Sequence, residues 1–139
     1  MKKLFYLALL LFCPLILGAV NSYDTNDDGI ADKWIEDFPD GHKKIEVDSN
    51  YDGVIDRVIR FDSEGKTDYE EYDFDLDGII DTYYFYGEEG LERQELDSNG
   101  DGEIDIWVHL SEGKYMKSYE RDVDFDGQID QIKDYGSDE

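Results

Sequence analysis

A nine-residue acidic pattern, D-x-[DN]-x-D-G-x-x-D, recurs five times in this chain at intervals of 24 or 25 residues, beginning at Asp24, Asp48, Asp73, Asp97 and Asp122. A fixed period of this length is the mark of a repeat architecture, in which each unit is one supersecondary element stacked on the next. A single copy can arise by chance in an acidic sequence. Five copies in register constrain both the fold and the chemistry, because every repeat gathers oxygen ligands at one place.

The residue types within the loop suit a hard cation. Ca²⁺ takes six to eight oxygens at about 2.3–2.6 Å in flexible geometry. Side chains at loop positions 1, 3, 5 and 9 can converge if the chain curls tightly, and the backbone carbonyl of position 7 supplies a further oxygen. The candidate ligands are Asp24, Asn26, Asp28, Ile30 and Asp32 in loop 1, and Asp48, Asn50, Asp52, Val54 and Asp56 in loop 2. Loop 3 offers Asp73, Asp75, Asp77, Ile79 and Asp81; loop 4 offers Asp97, Asn99, Asp101, Glu103 and Asp105; loop 5 offers Asp122, Asp124, Asp126, Gln128 and Asp130. The curl requires a residue without a Cβ at position 6, where Gly29, Gly53, Gly78, Gly102 and Gly127 stand. Two carboxylates about 4 Å apart repel by roughly 4 kcal/mol at an effective dielectric of 20, so such a cluster calls for a counter-ion. Mg²⁺ prefers strict octahedral geometry and keeps its waters. Zn²⁺ and copper prefer His or Cys, and His42 and His109 lie at unrelated repeat positions. The expected cofactor is Ca²⁺, up to five ions.

Between the loops the sequence reads as strand. After loop 2, the run Val54 to Phe61 meets a turn at Asp62-Ser63-Glu64-Gly65-Lys66 and returns through Thr67 to Tyr72. Loop 3 is followed by Ile79 to Tyr86, a turn at Glu88-Glu89-Gly90, and Leu91 to Leu96; loop 4 by Ile104 to Leu110, a turn at Ser111-Glu112-Gly113, and Tyr115 to Tyr119. Repeat 1 turns at Pro39-Asp40-Gly41. Apolar β-branched and aromatic runs around a Gly-containing turn are hairpin signals. A helical EF-hand reading competes less well: it needs a helix on each side and a Glu at loop position 12, whereas Ile35, Val108 and Lys133 stand there. The expected fold is all-β, an antiparallel meander of about nine strands built from tandem hairpin repeats. The metal loops lie along one edge and the Gly turns along the other. Such a sheet can coil like a solenoid, close on itself or pair with another copy. Ile35, Ile59, Tyr84 and Val108 fall on one face, together with Phe61, Tyr86 and Leu110. Trp34, Val58, Tyr83, Trp107 and Ile132 fall on the other. Glu46, Glu71, Glu95 and Glu120 each stand two residues before a loop, as extra ligands or as solvated strand positions.

Residues 1–19 read as a secretory signal, with Lys2 and Lys3 before an apolar run from Leu4 to Leu17 and small residues Gly18-Ala19 at the expected cleavage point. The run is short for a membrane span. Cys13 is preceded by Phe12, which does not fit a lipid-attachment signal. Residues 20–139 then form one domain without cysteine, secreted, periplasmic or on the cell surface, with no membrane span. Loss of two lysines leaves 11 cations against 37 acids, a formal charge of −26. Five Ca²⁺ ions would bring it to −16. No basic patch serves a nucleic acid. Eleven tyrosines, seven phenylalanines and two tryptophans argue against a disordered acidic tail.

The loop resembles the calcium sites of thrombospondin type 3 repeats, of FG-GAP and VCBS propeller repeats, and of dockerins. Asp97 to Asp105 followed by Ile106-Trp107-Val108 is most similar to an FG-GAP loop entering its strand. The resemblance covers the loops and the start of each following strand, and implies that loop positions 1, 3, 5, 7 and 9 are ligands. Propeller repeats are more than twice as long, thrombospondin repeats carry cysteines, and dockerins have two copies with helices. The whole chain is most similar to short secreted bacterial proteins in which such loops alternate with aromatic hairpins.

These readings lead to a calcium-stabilised structural or adhesive repeat protein. A calcium buffer or sensor is the alternative, although no Met-rich groove is visible. A hydrolase would need a singular acid, nucleophile or His pair that breaks the repeat, and none does; the chain is read as no enzyme. The aromatic rows read as cross-strand packing, or as a face for a cell-surface protein or polysaccharide.

Overall fold

The structure, a computed structural model, describes residues 18–136. The signal segment falls almost wholly outside the described residues. Ten antiparallel strands follow one another in chain order across a single sheet. They are β1 (Ala19–Tyr23), β2 (Lys33–Asp37), β3 (Lys43–Val47), β4 (Arg57–Phe61), β5 (Thr67–Tyr72), β6 (Thr82–Gly87), β7 (Gly90–Leu96), β8 (Ile106–Ser111), β9 (Tyr115–Arg121) and β10 (Gln131–Asp134). No helix occurs among the described residues. The meander is open: β1 and β10 are its two margins and do not meet. Only strands adjacent in sequence touch, so no second layer covers either face among the described residues.

The acidic loops connect β1 to β2, β3 to β4, β5 to β6, β7 to β8 and β9 to β10, and therefore line one end of the strands. The Gly turns line the other end. In the β4–β5 turn, the Asp62 N–H donates to the Lys66 carbonyl at 2.8 Å, and the Asp62 carboxylate accepts from the N–H groups of Glu64 and Lys66. Gly65 takes φ +81°, the left-handed region where a Cβ is penalised. Beyond three of these turns the returning strand carries one extra residue, Asp68, Glu92 or Lys117, a bulge that the register shifts mark.

The sheet has ten strands where the sequence pattern indicates nine. The additional one is β1, whose five residues before loop 1 pair with all of β2. The strands after each loop also start later than the apolar runs suggest. Val54 to Asp56 still belong to the curl, and the Asp56 N–H turns back to the Val47 carbonyl at 2.9 Å.

Cross-strand register sets two rows on one face. The first runs Ser22, Trp34, Glu46, Val58, Glu71, Tyr83, Glu95, Trp107, Glu120, Ile132, alternating large side chains with glutamates. The second places Lys44, Arg60, Arg93 and His109 beside it. Cations reach the glutamates: Lys44 to Glu46 at 3.1 Å, Arg60 to Glu71 at 3.7 Å, Arg93 to Glu95 at 3.0 Å. The opposite face carries Ile35, Ile59, Tyr84 and Val108 in one row, as their alternation requires. Val58 is the one buried apolar side chain among the described residues; Trp34 and Trp107 are half-buried. A sheet of one layer shields its side chains only with their neighbours. Tyr72 shows how: Arg57 lies 4.8 Å over its ring, Phe74 stacks on it at 5.0 Å, and Tyr84 meets it edge-on at 5.7 Å.

Candidate metal centre

Apart from Thr82 and Val58, the buried residues among those described are acids. Asp32, Asp48, Asp56, Asp73, Asp97, Asp105 and Asp122 are 3–7% exposed. They occupy loop positions 1 and 9, and backbone bonding explains their depth. The N–H of each position-9 Asp closes its own loop by donating to the carbonyl of the residue before it, as Asp105 does to Leu96 at 2.9 Å. Its carbonyl then accepts from position 1 of the next loop. Asp48 donates to Asp32, Asp73 to Asp56, Asp97 to Asp81 and Asp122 to Asp105, at 2.8–2.9 Å. The five loops are thus stitched into one spine along the strand ends.

Inside each loop the carboxylates organise the curl. At position 1, the Gly of position 6 donates its N–H at 2.7–2.9 Å in all five loops. In loops 2 to 5 the position-4 N–H donates to the same carboxylate at 2.7–2.8 Å. At position 5, the carboxylate accepts from the position-7 N–H at 2.8–2.9 Å. At position 9, it accepts from the position-2 N–H across the loop mouth, as from Thr25 at 2.8 Å and Ser98 at 2.7 Å. These bonds leave each carboxylate with spare lone pairs.

Loops 3 and 5 bring Asp73, Asp75 and Asp81, and Asp122, Asp124 and Asp130, into trios with one oxygen from each within 4.8 Å of the others. Loops 1, 2 and 4 carry Asn26, Asn50 and Asn99 at position 3, so a carboxamide oxygen replaces the third carboxylate. Those amides orient alike: each Nδ2 donates to the position-5 Asp, and each Oδ1 accepts from the position-5 N–H at 2.9–3.0 Å. Asp28, Asp52, Asp77, Asp101 and Asp126 sit one turn further on; Asp77 and Asp126 do not join the trios at that separation. The residues at position 7 are Ile30, Val54, Ile79, Glu103 and Gln128, and their carbonyls accept no backbone hydrogen bond among the described residues.

The electrostatics of the trios are those of crowded anions. The charges of Asp126 and Asp130 push the Asp124 carboxyl above its usual range. Local desolvation, then the charge of Asp77, does the same to Asp75. In loop 2 the Asp56 Oδ1 is buried and has no hydrogen-bond partner. Thr25 and Ser98 hydroxyls satisfy the equivalent oxygens of Asp32 and Asp105, and Thr82 that of Asp81. The trios offer oxygen alone, a donor set that fits a hard cation. Neither histidine takes part: His42 pairs with Asp40 at 3.0 Å in the β2–β3 turn, and His109 lies 3.8 Å from Glu120 on the sheet face.

Glu46, Glu71, Glu95 and Glu120 join neither trio and lie in the sheet-face row among Lys44, Arg60, Arg93 and His109. One loop feature gave no signal in the sequence. Position 4 is left-handed in every loop, with φ of 60–74° at Asp27, Tyr51, Leu76, Gly100 and Phe125. Bulky residues at three of these positions mask that requirement.

No family model matches this chain, and no curated protein matches it.

Proposed function

We propose that this protein binds Ca²⁺ through its five acidic loops outside the cytoplasm, and that the bound ions stabilise a structural or adhesive repeat sheet. The observation that carries this reading is the pair of aspartate trios within 4.8 Å in loops 3 and 5. The oxygen-only donors of the trios support it. The trio residues and their equivalents would hold the ion, and the backbone N–H groups already fixed on positions 1, 5 and 9 would set the carboxylate orientation. Calcium would supply the positive charge that these crowded carboxylates lack. Metal binding to such a site adds its free energy to that of folding. The leader-like residues before the domain support a secreted location.

Circular dichroism of residues 20–139, with chelator and with millimolar Ca²⁺, tests the stabilising role. The expected result is an expanded chain in chelator and a β-sheet spectrum in calcium. Identical spectra and identical thermal melts would refute it.

A further inference from the structure

The loop spine ends in two unmatched groups. Four bonds link successive loops, each from a position-1 N–H to the preceding position-9 carbonyl. At the margins the Asp24 N–H and the Asp130 carbonyl have no backbone partner among the described residues. Burial repeats the pattern: Asp24 and Asp130 are exposed, whereas the position-1 and position-9 acids held between neighbouring loops are buried, apart from half-buried Asp81.

The margins complement one another in direction and register. Strand directions alternate from β1 to β10, so a copy of β1 laid beside β10 continues the antiparallel order. Alternation within the ladder also fixes which backbone groups face outward. The bond from Asp48 to Asp32 turns Trp34 and Glu36 toward β3, which leaves Lys33, Ile35 and Asp37 facing β1. Ala19, Asn21 and Tyr23 therefore bond inward, and Val20, Ser22 and Asp24 face outward. The same count from Asp122 and Asp105, with Tyr135 donating to Lys117, turns Gln131 and Lys133 inward and Asp130, Ile132 and Asp134 outward. In the register of the inner strands Asp130 would meet Asp24 of the next copy, Ile132 would meet Ser22, and Asp134 would meet Val20. β10 is the first arm of a hairpin and β1 the second, so the junction completes the fifth unit, which loop 5 begins.

Neither margin is well protected against pairing. Edge strands are commonly blunted by charges, prolines or bulges. β1 has no charged residue, and β10 has only Lys133 and Asp134, of opposite sign. Neither margin holds a proline, and the bulges lie between inner strands. Val20, Tyr23 and Ile132 are 59%, 47% and 67% exposed.

We propose that this protein assembles head to tail, β10 of one copy pairing with β1 of the next, in an open-ended continuation of the single sheet. The contact is heterologous and does not close, so it yields chains of copies rather than a fixed dimer. Net negative charge opposes it, and either salt or a divalent ion relieves that repulsion. At about 1 M salt the screening length falls to roughly 3 Å, so wherever circular dichroism shows the sheet folded in high salt with chelator, the interface is tested apart from calcium.

The test measures mass by sedimentation over a concentration series of residues 20–139, in high salt with chelator and in millimolar Ca²⁺, with circular dichroism to report folding. The wild type is expected to give a ladder of multiples in at least one medium. Ser22→Pro removes an outward N–H of β1, and Ile132→Pro one of β10; proline is tolerated on the free side of an edge strand. Each variant alone is expected to be monomeric. Each keeps one good margin, so their equal mixture is expected to form a dimer of twice the monomer mass. Hydrogen exchange on the wild type needs no variant: the amides of Ser22, Asp24 and Ile132 gain protection with association, while those of Asn21 and Lys133 are protected throughout. A folded wild type that stays monomeric in both media overturns the proposal. So does association that either proline leaves unchanged, a mixture of folded variants that fails to dimerise, or oligomers whose outward amides exchange as in the monomer.

Discussion

At the residue scale, this protein places its best-ordered chemistry in carboxylates rather than in apolar side chains. Asp73 illustrates it. Its two oxygens accept the N–H groups of Leu76 at 2.7 Å and Gly78 at 2.8 Å, while it is 4% exposed. Asp73→Ala leaves those donors without their charged acceptor. Hydrogen bonds to charged groups are worth about 1.5–3 kcal/mol each, so for these two a loss of roughly 3–6 kcal/mol is expected in a denaturant titration. A second expectation concerns backbone alone. Gly53 has φ +93° and no atom within 4 Å of the place a Cβ would take, so Gly53→Ala meets no steric neighbour. The left-handed backbone costs a Cβ-bearing residue about 1–2 kcal/mol, and the melting temperature should fall accordingly. Leu76 is the converse: it is 42% exposed and bears φ +63°. Leu76→Asn should raise the melting temperature slightly, because Asn accepts that conformation more readily. The position-6 requirement was legible in the sequence because glycine occupies it in every repeat. The position-4 requirement was not, because Tyr51, Leu76 and Phe125 hide it behind bulky side chains.

At the element scale, strands survive half-exposed because each side chain is covered by its cross-strand partners. Burial and the hydrogen bond to Glu70 hold the Tyr72 phenol up at about 12. Tyr69 is raised further, by burial and then by the charge of Glu71. A folded pKa above the unfolded value of about 10 favours the neutral phenol in the sheet. That contribution is fully present below pH about 10 and is lost as pH rises through the folded values. Ultraviolet titration should show a late-ionising class of tyrosines, and unfolding should accompany their ionisation; ionisation of all tyrosines near pH 10 with the sheet intact would contradict this packing. Hairpins and their turns were readable from Gly placement and apolar runs. β1 was not, because Val20-Asn21-Ser22 has neither a preceding turn nor a strong apolar alternation, and only its pairing with Lys33 to Asp37 makes it a strand. The glutamates before the loops were readable only as two alternatives. Their place in a row with Trp34, Val58, Tyr83 and Trp107 became visible once cross-strand register was known.

At the scale of the whole molecule, the described residues form a single layer with no second layer against it, which makes their stability a sum over neighbouring strands and loops, as in other quasi-one-dimensional repeats. The all-β meander and its loop edge followed from the period. Whether the sheet closes did not, since both faces carry apolar and polar residues in similar measure. A small domain is typically stable by about 5–15 kcal/mol. If calcium stands at about ten times Kd, each site adds roughly 1.4 kcal/mol, and five sites add a comparable total of about 7 kcal/mol. Thermal stability should therefore climb steadily with calcium concentration, and Asp124→Ala, which removes one member of the loop-5 trio, should flatten that climb by about one site. The most direct measurement is a calorimetric titration of chelator-stripped residues 20–139 with Ca²⁺. Saturable uptake approaching five ions per chain is expected, with loops 3 and 5 represented in any smaller number. No uptake at millimolar calcium by the folded sheet would contradict calcium binding as the source of its stability.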